Sequence, residues 1–257
     1  MTTPDFSIIT CTLNSAQWIK QSIRSVVRQN SVSIEYIFVD GGSTDDTLKK
    51  IQSITTPYKL LHRPAAGISD AMNAGIAEAT GHIIACLHSD DFYLHANVLS
   101  TVAERFKTTG CQWLFGRISS LIDGKLRPEN FNVPTFTRQA LLKGNFIPHP
   151  ATFVTRELLQ KSGSFTTELR YAMDYDLWLR LSLLADPYQL RFPLTAFREH
   201  EGSASTANRL AAMHEDLQVR LKYSEDDPLA RLLHLARFQI RKLRQLLQSN
   251  RRYTKYA

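Results

Sequence analysis

The chain has 257 residues, of which 43% are hydrophobic, with 31 basic and 24 acidic side chains for a net charge of +7. That length and balance suit one large α/β domain or a domain with an appendage, and exclude disordered and fibrous classes. Residues 228–257 hold eight basic side chains and no acidic one, which leaves the other 227 residues at −1, so the body calls for no nucleic acid or other polyanionic partner.

Cys11, Cys86 and Cys111 are odd in number and widely spaced, which fits reduced thiols and neither a disulfide framework nor a CxxC site. The N-terminus has no basic segment leading into an apolar run, and no stretch approaches the ~20 apolar residues of a membrane span. A cytoplasmic protein is expected.

Phe6–Cys11 has the length and β-branching of a buried strand, and Trp18–Val27 carries apolar residues at helical spacing. Ile34–Val39 is a second strand, ended by Asp40-Gly41-Gly42. After it, Ser43-Thr-Asp-Asp offers cap oxygens and first-turn carboxylates to a helix reaching about Ile54. Tyr58–Leu61, a helix over Ile68–Ala79 and a strand over His82–Leu87 follow, the last running straight into His88-Ser89-Asp90-Asp91.

Trp113–Ile122 before Asp123-Gly124 reads as a strand and hairpin turn. Arg138–Leu142 reads as a short helix, Ala151–Val154 as a strand, Tyr175–Leu184 as an amphipathic helix and Tyr188–Phe192 as the last strand. Alternating strands and helices predict a mostly parallel sheet flanked by helices, with ligands bound beyond the carboxyl ends of the strands. Thr12, Asn14, Asp40, Asp90 and Asp91 all fall at those ends.

Two adjacent carboxylates after an apolar strand repel one another, and a hard cation shared with phosphate oxygens relieves that repulsion. Taken alone, the pair also suits a helix cap leading into Phe92, and Asp40 suits a turn. Neither GxGxxG nor a GKS/GKT loop is present, which disfavours dinucleotide dehydrogenases and P-loop NTPases.

The stretches Ser7-Ile-Ile-Thr-Cys-Thr-Leu-Asn14, Val39-Asp-Gly-Gly-Ser-Thr-Asp45, Gly67-Ile-Ser-Asp-Ala-Met-Asn-Ala-Gly75 and Leu87-His-Ser-Asp-Asp91 resemble the successive signatures of family 2 glycosyltransferases. Tyr171-Ala-Met-Asp-Tyr-Asp-Leu-Trp-Leu-Arg180 and Phe197-Arg-Glu-His-Glu-Gly-Ser-Ala-Ser205 resemble the later ones, so the match runs over about 200 residues. The resemblance implies the nucleotide-diphospho-sugar transferase (glycosyltransferase A-type) fold with a C-terminal helical tail. Ser224-Glu-Asp-Asp-Pro228 is a polar break that divides the chain into a domain at residues 1–222, with a nucleotide-binding half at 1–110 and an acceptor-binding half at 111–222, and a basic amphipathic helical tail at 223–257.

The same resemblance implies site roles. Thr12, Asn14, Asp40, Asp70 and Asp90 match donor-binding positions, Asp91 and His200 match the metal site, and Asp174 matches the catalytic base. His149, held between two prolines, matches a position on the acceptor side. The implied cofactor is Mn²⁺ or Mg²⁺. The implied activity is metal-dependent, inverting transfer of a sugar from a nucleoside-diphosphate sugar, UDP first among the bases, to a hydroxyl of a glycan or lipid-linked acceptor in bacterial surface-polysaccharide synthesis. A non-catalytic scaffold and a sugar nucleotidyltransferase are the alternatives.

Asp174 and Asp176 point about 200° apart on a helix, so only one faces the cleft readily; the resemblance favours Asp174 and implies that Asp176 is a cap or a solvent-side carboxylate. His62-Arg63-Pro64-Ala65-Ala66 and Met173 depart from the family pattern, and Arg63 is available to a diphosphate.

In the tail, Leu229, Leu232, Leu233, Ala236, Ile240, Leu243 and Leu247 form one helical stripe with Arg and Lys on the remaining faces. A basic amphipathic helix suits a membrane surface, with contact through residues 228–252. Its other uses are packing on its own domain or pairing with a second chain as a homodimer.

Overall fold

The computed structural model describes residues 3–64, 67–129, 133–200 and 208–253, with side chains described as far as Gln245 in the last helix. Strands β1 (Phe6–Thr12), β2 (Ile34–Asp40), β3 (Lys59–His62) and β4 (Ile83–Cys86) are laid down with helices α1 (Ile19–Val27), α2 (Thr47–Gln52) and α3 (Ile68–Glu78) between them. They pair in parallel in the order β3-β2-β1-β4, with Thr12 opposite Asp40. The three βα units therefore end on one edge, as the alternation of runs predicts.

The second half is mixed. After the two-residue strand β5 (Phe92–Tyr93) and helix α4 (Val98–Thr109) come β6 (Trp113–Ile122), β7 (Lys125–Pro128), α5 (Arg138–Lys143), a 3-10 turn (His149–Ala151) and β8 (Thr152–Thr155). Helices α6 (Arg156–Ser162) and α7 (Met173–Leu184) and strand β9 (Tyr188–Arg198) follow. The sheet continues β4-β8-β6-β9-β5, with β8 antiparallel to both neighbours and β9 parallel to β6. Asp123 and Gly124 both take positive φ, which gives the primed hairpin turn their sequence suggests.

Strand β9 runs six residues past the predicted end at Phe192. Proline normally ends a strand because it cannot donate to the ladder. Here Pro193 sits opposite Arg117, where the β6–β9 register is already irregular, and pairing resumes at Thr195. That continuation carries Arg198 to the edge where β1, β2 and β4 end.

Two apolar layers sandwich the sheet. One contains Ile9, Ile37, Met72, Trp113 and Trp178, and the other contains Phe6, Phe38, Leu99, Phe106 and Phe153. Gly75 sets the spacing of α3, since a Cβ there would stand 2.5 Å from Cγ2 of Ile9. Helices α8 (Arg209–Lys222) and α9 (Pro228–Tyr253) close the chain, α9 packing along α8. No helix among the described residues is long and apolar enough to cross a membrane.

Candidate active site

A cleft of about 810 Å³ opens beyond the carboxyl ends of β1, β2 and β4. Its lining includes Thr12, Asn14, Asp90, Asp91, His149, Asp174 and His200. Seven predicted site residues, drawn from sequence positions almost 190 apart, thus share one cavity. Asp40 and Asp70 are not among the lining residues: Asp40 is buried, and Asp70, partly exposed, lies in the first turn of α3 next in sequence to the lining residues Gly67, Ile68 and Ala71.

Asp40 organises the loops after β1 and β2. Its carboxylate accepts bonds from Thr12 Oγ1 (3.0 Å), from the Gly42 and Ser43 amides (3.0 Å each) and from the Ser43 hydroxyl. Burial alone would raise its pKa, but these donors outweigh burial and hold it below the ordinary range. Asn14, at φ 50°, ties the same loops by accepting from the Thr44 amide at 2.9 Å. Asp45 accepts from the Thr47 and Ala16 amides, so it braces the loop, and α2 begins at Thr47 instead of Ser43.

Asp90 and Asp91 cap no helix, because Phe92 and Tyr93 form β5 and pair with Ala196 and Thr195 of β9. That pairing draws the end of β9 over the carboxylates. Arg198 donates its amide to Asp91 Oδ1 (3.0 Å) and its Nε to the Asp90 carbonyl (3.1 Å), while its guanidinium lies 4.1 Å over the Trp18 ring. His200 Nε2 is 2.9 Å from Asp90 Oδ2.

Asp91 Oδ2 remains buried without a hydrogen-bond partner. Burial, and then the neighbouring Asp90 charge, push the Asp91 carboxyl well above its ordinary pKa. A buried carboxylate oxygen with no donor is costly, and a cation is the partner that removes the cost. Among the described residues no group of three or more His, Cys, Asp or Glu is assembled for a metal. The donor set therefore fits an ion that takes one or two protein ligands and completes its shell with phosphate oxygens and water.

Across the cleft, Asp174 lies in the first turn of α7. Its Oδ1 accepts from the Tyr175 amide at 2.6 Å and its Oδ2 from Asn145 Nδ2 at 3.4 Å. Burial is the main cause that pushes its pKa up to about 7, and the Asp216 charge adds to it against those two bonds. Such a carboxyl is poised to accept a proton near neutral pH.

Asp176 is neither a cap nor on the solvent side. It is fully buried and accepts from Thr166 Oγ1 (2.8 Å), Arg180 Nε (2.9 Å), Lys222 Nζ (3.0 Å) and the Tyr223 hydroxyl (3.0 Å). The two carboxylates do diverge as helical geometry requires, but α8 covers the far face of α7. Asp176 therefore fastens α8 to α7.

His149 stacks on His88 with ring centroids 4.8 Å apart, and burial holds both imidazoles below their ordinary pKa. The pair is uncharged at neutral pH. Arg63 and Arg170 also line the cleft. Glu215 of α8 accepts the amides of Arg170, Tyr171 and Ala172 at 2.6 to 3.1 Å, which fixes the loop leading to Asp174.

Sequence reasoning did not single out Trp18, His88, Asn145, Arg198 or Glu215. Arg198 lies inside the Phe197–Ser205 stretch and His88 inside Leu87–Asp91, so both had a motif to mark them. Glu215 and Asn145 had none.

The profile of the family described as glycosyl transferase family 2 matches residues 7–161. An uncharacterized glycosyltransferase of Mycobacterium tuberculosis is 29% identical over 199 residues, covering 76% of this chain and 75% of that protein. A PGL/p-HBAD biosynthesis glycosyltransferase of Mycobacterium bovis is 34% identical over 188 residues, 70% of each chain. The chondroitin synthase of Pasteurella multocida is 31% identical over 185 residues, but these amount to only 19% of its length.

Among solved structures, Staphylococcus aureus TarS 1-349 in complex with UDP superposes with a TM-score of 0.67 at 19% identity, covering 90% of this chain and 68% of that one. The mannosyltransferase PcManGT of Pyrobaculum calidifontis, in complex with GDP-Man and Mn²⁺, gives 0.66 at 17%, covering 93% and 70%. At these identities the likeness establishes the fold.

Proposed function

The chain belongs to glycosyl transferase family 2 and is a glycosyltransferase, and from that premise we propose that it moves a sugar from a nucleoside-diphosphate sugar to a hydroxyl of a glycan or lipid-linked acceptor, with inversion. The observation that carries this reading is the cleft itself. A carboxyl with its pKa at about 7 opens onto the same space as an acidic pair whose second member, Asp91, is buried with one unpaired oxygen.

In this reading Asp174 takes the proton from the acceptor hydroxyl as that oxygen attacks the anomeric carbon. One carboxylate base and direct displacement give inversion, by analogy with the one-step logic of inverting hydrolases. Thr12, Asn14 and Asp40 shape the base and ribose pocket from residues 1–110, with Asp70 near the nucleotide or sugar, Asp90 meets the ribose or donor sugar, and His149 lines the acceptor side. Arg198 and His200 return from residues 111–222 to the donor side, so the two halves are not separate in function.

Asp91, with His200, would hold a divalent cation, Mn²⁺ or Mg²⁺, which when bound stabilises the charge on the departing diphosphate. UDP is the favoured base-diphosphate, because the TarS structures carry UDP and UDP-GlcNAc. The relatives named as a PGL/p-HBAD biosynthesis glycosyltransferase and a chondroitin synthase support a biosynthetic role, here in bacterial surface-polysaccharide synthesis. The family match leaves the scaffold and nucleotidyltransferase alternatives without support.

The test is release of nucleoside diphosphate from UDP-, GDP- and dTDP-sugars with Mn²⁺ or a chelator. The expected result is metal-dependent release from one donor class. Release that is equal with chelator would overturn the metal assignment, and release from none, with acceptor extracts present, would overturn the donor reading.

A further inference from the structure

The last helix does not use its leucine stripe to hold the fold. Within α9 the buried side chains are His234 and Phe238, with Arg231, Lys242 and Gln245 partly covered, all on one face. His234 Nε2 is 3.4 Å from Ser224 Oγ, Phe238 packs edge-on against His214 of α8 at 4.8 Å, and Arg231 donates to the Leu221 carbonyl at 3.1 Å.

Leu229, Leu232, Leu233, Ile240 and Leu243 are each between 46% and 67% exposed. At about 100° per residue, the stripe is centred roughly 165° from the His234–Phe238 face, on the opposite side of the helix. Packing on its own domain, one of the uses open to this stripe, is therefore excluded for the described residues. Leu247 lies outside the described side chains.

Exposed Arg237 and Arg244 run along one flank of the stripe, Arg241 stands on the inward side within reach of the Asp216 charge, and α9 carries no acidic residue. An apolar face bordered by guanidinium groups and docked from behind onto a folded domain matches a bilayer interface, where leucines enter the acyl boundary and arginines meet phosphate headgroups. A second copy of the helix would bring Arg237 and Arg244 against the same cations with no acidic side chain of α9 between them, which disfavours pairing through this face.

We propose that the outward face of α9, Leu229 to Leu243 with Arg237 and Arg244, is a docking surface for an anionic membrane. This goes beyond the sugar-transfer reading and does not depend on it. Glu215 ties α8 to the loop before Asp174 and α9 packs on α8, so a docked α9 is joined through α8 to the wall of the cleft.

The test is sedimentation of the full chain with vesicles of phosphatidylcholine alone or with one-third phosphatidylglycerol. It compares wild type with Leu232→Glu/Leu243→Glu and Arg237→Glu/Arg244→Glu, and oligomeric state is measured by light scattering. None of the four side chains lines the cleft, so donor turnover and thermal midpoint serve as folding controls. Wild type is expected to prefer anionic vesicles, and each double variant to bind them at least about tenfold less tightly. Equal binding by wild type and both variants would overturn the proposal, as would absence of wild-type binding. A dimer that Leu232→Glu/Leu243→Glu dissolves, without vesicle binding, would assign the face to a second copy instead.

Discussion

Asp174 and Asp176 show how two carboxylates two positions apart take opposite fates. Asp176 has four donors, and they hold its pKa below the ordinary range although burial alone would raise it. Asp174 has one short backbone bond and one long amide contact, so burial wins and its pKa rises to about 7. If Asp174 is the base, kcat/KM rises with pH up to about 7 and levels above it, and Asp174→Asn removes that limb and lowers kcat by at least about a hundredfold. The stability effect has the opposite sign. A carboxyl raised from 3.8 to about 7 in the folded state favours its protonated form, so ionisation weakens the fold progressively as pH rises from about 4 to 7. Asp174→Asn is therefore expected to melt above wild type at pH 8, with the gap closing towards pH 5. A variant that melts lower at pH 8 would contradict the burial of this charge.

At the scale of elements, α8 is the part that supports the site without touching the cleft. Glu215 gathers three loop amides, and Asp216, paired with Arg220 at 3.5 Å, raises the pKa of Asp174. Asp216→Asn is expected to move the acid limb of kcat/KM to lower pH, while a purely structural role for Asp216 would leave the limb in place. The first βα units were legible in the sequence because β1 and β2 are short β-branched runs, α1 has an apolar period and α2 has capping residues before it, whereas Lys59–His62 has no β-branched residue and marks its strand more weakly. The order of the second half was not, since β8, β6 and β9 pair across long separations and Pro193 falsely marks a strand end. Nothing local in Arg209–Lys222 announces that Glu215 reaches the loop before Asp174.

For the whole molecule, the candidate site was legible from motifs far more than from physics. Asp90-Asp91 alone suits a helix cap, and only the pairing of β5 with β9 removes that reading. The family resemblance gathered residues that the fold then places in one cleft, but it could not say that His200 would meet Asp90, that Asp91 Oδ2 would lack a partner, or which way the stripe of α9 would face. Those facts depend on long-range packing. The central claim is that one carboxylate acts as base while another anchors donor and metal, and it is tested most directly by titrating the donor found by nucleotide release into Asp174→Asn and Asp91→Asn by calorimetry, with Mn²⁺, alongside turnover. Asp174→Asn should bind the donor within about threefold of wild type while releasing almost no nucleotide, and Asp91→Asn should lose the Mn²⁺-dependent part of binding. Wild-type turnover in Asp174→Asn, or Mn²⁺-dependent binding untouched in Asp91→Asn, would contradict the account.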